Sequence, residues 1–96
     1  MKKIMINAML ISCRDDVATV TTELRQGDVA VFQKVGEVIH LPVIEDVPKF
    51  HKVAVRNIEK QETVRKYGEI IGQATQNIVQ GSHVHDHNIS SPVNER

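Results

Sequence analysis

The sequence predicts a mainly β domain of short strands joined by compact turns, with one or two short helical turns. Three observations carry this. β-Branched residues gather in short runs, such as Val17-Ala-Thr-Val-Thr-Thr22, the composition that suits a pleated, half-buried surface. Glycines and polar clusters punctuate those runs at close intervals. A local pattern also recurs, in Glu23–Ala30, Asn57–Val64 and Asn77–Val84. Each copy carries a Leu or Ile, then Gly or Gln, then a small or branched apolar residue that opens the next run.

The elements follow in order. Lys3–Ile11 is rich in Ile, Met and Leu and reads as a buried first strand. Cys13–Asp16 is a polar turn, and Val17–Thr22 is the next strand. Val29–Val35 and Glu37–Val43 flank Gly36 and predict a hairpin. Pro42 marks an edge or an end, because proline cannot donate to a ladder. His51–Val55 and Thr63–Tyr67 alternate as strands, the latter stopped by Gly68. Only Glu69–Ile78 hints at a helix, since Ile70, Ile71, Ala74 and Ile78 approximate helical spacing. Gly72 and Thr75 restrict that to a short turn. In each recurring copy the expectation is a single helical turn that buries Leu24, Ile58 or Ile78. A tight reversal follows at Gly27, Gln61 or Gly81, where glycine tolerates positive φ. Gln61 breaks the glycine rule, so its turn must be wider or strained. The domain therefore covers residues 1–88, and residues 89–96 read as a polar tail or linker.

Composition narrows the function. Acidic and basic residues balance at 12 each, which leaves no electrostatic footprint for nucleic acid or an anionic membrane. With one Tyr, two Phe and no Trp, base-stacking platforms are missing too. The single Cys13 excludes an internal disulfide framework and fits a reducing, cytoplasmic setting. Leu10-Ile-Ser-Cys13 is similar to a lipoprotein cleavage box, but Asn7 interrupts a short apolar run, and a buried strand is the expectation. No run approaches the roughly 20 residues of a membrane span.

The chemistry concentrates in Gly81-Ser-His-Val-His-Asp-His-Asn88. On a strand His83, His85 and His87 share one face. Alternate residues lie about 6.5–7 Å apart, so neighbouring imidazoles can converge on one ion. His83 and His87 would stand about 13 Å apart on a straight strand, too far to share it. At most two of the three then bind a given metal, and His83 with His85 is the expected pair. The remaining ligands must come from solvent, substrate or a partner chain, which describes an open site. His51 is a candidate for proton transfer, and Lys52 for holding a carboxylate as a point charge. Tyr67 could donate to a substrate oxygen, though a lone Tyr more often packs its ring. The pairs Asp15-Asp16 and Glu45-Asp46 face opposite sides of any strand, so neither reads as an acid–base dyad. His40 reads as a strand residue, and Cys13 as no nucleophile.

His51-Lys-Val-Ala-Val55, Ile58-Glu-Lys60, Val64-Arg-Lys-Tyr-Gly-Glu-Ile-Ile-Gly-Gln-Ala74 and the Gly81–Asn88 run together resemble the small subunit, or N-terminal domain, of altronate dehydratases. The small subunits of sulfolactate sulfo-lyases look similar. The likeness spans roughly Asp16 to Asn88. It implies a SAF domain with a β-clip fold, the class shared with type III antifreeze proteins and pilus or flagellar assembly chaperones. It also implies a component of a metal-dependent lyase, a hydro-lyase that eliminates water from a sugar acid such as altronate. The cofactor implied is a divalent metal, iron(II) or manganese(II). The partner implied is a large catalytic dehydratase subunit or domain, without which this chain is inactive; self-association stays open. Site residues follow as expectations: His51, Lys52, His85 and His87 catalytic; Lys52, Tyr67 and Asn88 at the substrate; His83 and His85 on the metal. Phe50 departs from the Gly that commonly precedes His-Lys, so the backbone at His51 is expected to differ. The alternatives are a sulfolactate sulfo-lyase small subunit and a SAF binding module without catalysis.

Overall fold

A computed structural model of the chain describes residues 5–90. The described residues form nine strands and no helix: β1 (Ala8–Met9), β2 (Val17–Val20), β3 (Val29–Lys34), β4 (Glu37–Pro42), β5 (Lys52–Ala54), β6 (Thr63–Lys66), β7 (Glu69–Ala74), β8 (His83–Val84) and β9 (Ile89–Ser90). All pairings are antiparallel. A central sheet has the order β1-β2-β5-β8, with β3-β4 and β6-β7-β9 as separate smaller sheets.

The period-two alternation of the central strands explains the layering. Ala18, Val20 and Val53 face one side and pack with Phe32, Leu41, Val43 and Val47 around the β3–β4 hairpin. Val17, Ala54 and Val84 face the other side and pack with Ile58, Val64, Ala74 and Ile78 around β6–β7. Full burial of one such side chain is worth about 1.5–3 kcal/mol. Both hairpins close on paired positive-φ residues, Val35-Gly36 and Tyr67-Gly68, the backbone that matches strand twist.

The recurring pattern proves to be a turn device without helix. Leu24 bridges Val47, and Ile58 bridges Ile78. The partner Val47 belongs to a fourth copy, which the sequence hid because Phe50 fills the glycine position. The copies reverse at Gly27 (φ 94°), Phe50 (φ 68°), Gln61 (φ 78°) and Gly81 (φ 91°). Side chains from outside cap three of the four turns: Asp46 accepts from Gln26 N, Asn77 from Lys60 N and Asn57 from Gln80 N. The turns are satisfied across pairs of copies, which is why no helical turn is needed.

Other expectations are corrected. Glu69–Ile78 is not helical: Gly68 closes a hairpin and Glu69–Ala74 pairs with both β6 and β9. A Cβ on Gly72 would collide with the Ser90 carbonyl oxygen, so that glycine admits β9. Ile89 and Ser90 therefore belong to the sheet and not to a tail. The first strand shrinks to Ala8–Met9, and Asn7 before it joins β2 to β3: its carbonyl accepts from Thr21 N and its own N donates to the Val31 carbonyl. Its side chain accepts from Val31 N and donates to the Val29 carbonyl. Met5, Ile6, Met9 and Ile11 stay exposed. The part of the predicted strand at Lys3–Ile4 lies outside the described residues. The polar turn before β2 supplies two buried carboxylates. Asp15 accepts from the backbone of Ser12, Tyr67 and Gly68. Asp16 accepts from Arg56 and from Arg65 N.

Candidate metal centre

The β5–β8 register assembles the site. Val53 pairs with His83 and Lys52 with Val84. One step further along that ladder His51 stands across from His85. All three imidazoles leave the same face, since His51, Val53, His83 and His85 alternate with Lys52 and Val84. The His51 and His85 rings stack with centroids 3.9 Å apart. His51 Nδ1 lies 2.8 Å from His83 Nε2. One ligand atom from each of His51, His83 and His85 lies within 4.8 Å of the others.

The straight strand expected through His87 does not form. β8 ends at Val84, and residues 85–88 turn. Buried Asn88 makes that turn: its Oδ1 accepts from His85 N and its Nδ2 donates to the His83 carbonyl. His87 folds back so that its ring centroid is 5.0 Å from that of His83, against the wide separation a straight strand predicts. The candidate cluster gains His51, which the sequence marks only for proton transfer. Residue type gave no sign of this, because pairing between segments 32 residues apart is invisible in a local pattern.

Electrostatics favour the neutral forms of His51 and His83. Burial holds the His51 pKa below its ordinary value, assisted by the charges of His85, Lys52 and His87 and opposed by Asp86. Burial does the same at His83, assisted by His87, His51 and His85 and opposed by Glu45. Glu45 also accepts from His83 N at 2.9 Å, a second role the sequence did not mark. In the short His51–His83 contact one ring must donate and the other accept, so at least one nitrogen is unprotonated.

These residues fit a metal ion. Two nitrogens about 2.0–2.1 Å from one ion at a right angle stand about 2.9 Å apart, close to the observed 2.8 Å. His85 Nδ1 is buried without a hydrogen-bond partner, and in its unprotonated tautomer coordination would satisfy it. Three imidazoles without a carboxylate suit iron or zinc better than manganese.

Of the other expected residues, Lys52 and Tyr67 stand apart from the cluster, while Asn88 braces the backbone of His83 and His85. Lys52, half-buried, leaves β5 on the opposite face from His51. Burial lowers its pKa, assisted by Lys66 and opposed by Asp86. Tyr67 is 55% exposed in the β6–β7 turn, with Lys66 Nζ 4.6 Å from its ring centroid. Asn88 has its amide committed to the turn. Phe50 is 65% exposed and holds glycine's conformation at φ 68°. The backbone before His51 therefore keeps the path a glycine would take, contrary to expectation, and the strain stays local.

Residues 6–92 match the family described as the altronate/galactarate dehydratase SAF domain. The (2R)-sulfolactate sulfo-lyase subunit alpha of Chromohalobacter salexigens is 42% identical over 53 residues, covering 55% of this chain and 56% of that protein. The altronate dehydratase of Bacillus subtilis is 34% identical over 65 residues, 62% of this chain and 13% of that protein. The altronate dehydratase of Escherichia coli is 34% identical over 86 residues, 88% of this chain and 16% of that protein. The chain thus spans about half the length of the sulfo-lyase subunit and a small part of each dehydratase.

Proposed function

The chain belongs to the altronate/galactarate dehydratase SAF domain family, and from that membership we propose that it is the accessory component of a metal-dependent lyase acting on a hydroxy acid. The convergence of His51, His83 and His85 is the observation that carries the reading. These three side chains would hold a divalent ion, and iron(II) and zinc both suit an all-imidazole set. Such an ion, when bound, polarises the departing group as a Lewis acid.

This chain's own residues do the rest of its share. Partial burial lowers the pKa of His51 and His83 and favours the neutral form that ligates. Asn88 fixes the turn that aims His85. His87 is exposed beside His83 and can carry a proton to or from a group seated at the cluster. Three ligands leave the site open, so substrate and a larger catalytic chain supply the remaining contacts. The reaction is elimination: a base takes the proton next to the carboxylate, and the leaving group departs from the adjacent carbon with a proton.

Loss of water from a sugar acid such as altronate is the first reading, favoured by the family. Loss of sulfite from sulfolactate is the second, favoured by the 42% identity to a sulfo-lyase subunit over 53 residues. Purifying the chain with its catalytic partner and assaying both substrates separates them. The triple variant His51→Ala, His83→Ala, His85→Ala should lose bound metal and lyase activity together. Full activity in that variant overturns the proposal.

A further inference from the structure

We propose a second site on the opposite face of the central sheet, in which Thr19 and Lys52 together receive the carboxylate of a small organic acid. Thr19 on β2 pairs with Lys52 on β5. Val20 N bonds the His51 carbonyl and Val55 N bonds the Asp16 carbonyl, which fixes the alternation of the ladder. Thr19 and Lys52 then occupy a non-hydrogen-bonded position, where facing side chains approach most closely. Both project from the face away from the histidines.

Two unmet groups meet there. Thr19 Oγ1 is buried and has no hydrogen-bond partner. Lys52 is half-buried and has no ion-pair or side-chain hydrogen-bond partner among the described residues. A sheet that needed only stability would place Val at position 19, because an unpaired buried hydroxyl is destabilising. A carboxylate offers two acceptor oxygens, one for the hydroxyl and one for the ammonium. The same cross-strand row continues to Met9 beside Thr19 and to Val84 beside Lys52. Met9 is 52% exposed and offers an apolar neighbour to a short carbon chain, while Val84 anchors the other end of the row in the core. The flexible Lys52 side chain is the neighbour that can move to admit the ligand. This site needs no metal, so it stands or falls apart from the histidine cluster.

The test is a titration of the metal-free full chain with sodium gluconate, followed by amide NMR, with sorbitol as the uncharged control. Shifts localised to Thr19, Lys52 and their strand neighbours with gluconate alone are expected. Thr19→Val and Lys52→Met should each weaken the binding at least fivefold, while Thr19→Ser retains it. Thr19→Val should also raise the melting temperature, since it removes an unpaired buried hydroxyl; a merely structural threonine would not couple that gain to lost binding. The proposal is overturned if gluconate leaves these amides unmoved, if sorbitol moves them equally, or if both weakening variants bind as well as the parent.

Discussion

His51 Nδ1 and His83 Nε2 lie 2.8 Å apart although 32 residues separate them in the chain. The contact exists because β5 and β8 pair in a register that sets Val53 across from His83. A shift of one residue would turn the β8 side chains to the other face. The histidine cluster is therefore a property of sheet register, and its chemistry can be tested through it.

Removing one member should dismantle the centre. His83→Ala takes away the partner of His51 and one of three converging nitrogens. Affinity for iron(II) or zinc, read by calorimetry on the chain, should fall by more than tenfold, whereas Lys52→Met, on the other face, should leave it within about twofold.

Acid should weaken both the fold and metal binding. The pKa values of His51 and His83 are depressed in the folded state, so the unfolded chain takes up protons first. Their contribution is complete above the ordinary histidine value near 6.5 and is lost as pH falls through the folded values. Urea midpoints of the metal-free chain should drop over that window, and the drop should shrink in the variant His51→Ala, His83→Ala.

Asp15 should govern a lower window. Burial opposes its charge, but hydrogen bonds from the backbone of Gly68, Ser12, Tyr67 and Ile11 outweigh it and hold the pKa below the usual carboxylate value. The stabilisation is present above about 3.9 and lost as pH falls through the folded value. Asp15→Asn cannot satisfy all these donors and should cost about 1–3 kcal/mol at neutral pH in chemical denaturation.

The two turns that precede β5 and β8 should respond oppositely to substitution. Phe50→Gly relieves a left-handed backbone at φ 68°, and stability should rise by about 0.5–1 kcal/mol after glycine's entropy is counted. Gly81→Ala introduces left-handed strain and a Cβ 2.6 Å from the Pro42 carbonyl oxygen, and should lower the melting temperature. Equal effects of the same sign would contradict the equivalence of the two turns.

Asn88 should act through the loop that carries His85. Asn88→Ala deletes both hydrogen bonds that shape residues 85–88. Metal affinity should fall several-fold while the far-ultraviolet spectrum of the sheets persists, and Asn88→Asp, which keeps the acceptor, should recover part of the loss.

Alternating β-branched runs and glycine turns were enough to reveal the strand composition, the β3–β4 hairpin and the histidine-rich segment, because these are local preferences. Leu24, Ile58 and Ile78 were recognisable as a repeated buried position. Val47 was not, since Phe50 disguised its turn. Glu69–Ile78 misled because a hairpin with both edges paired can bury residues at spacings that imitate a helix.

By itself, the sequence of this chain determined a β domain and a histidine-rich end; periodicity and residue type act within a few neighbours and need no fold. Only tertiary structure decided that His51 joins His83 and His85, that His87 turns back, and that Lys52 faces away beside Thr19. Those relations depend on how distant strands align, and alignment is set by two buried apolar layers acting on the whole chain at once.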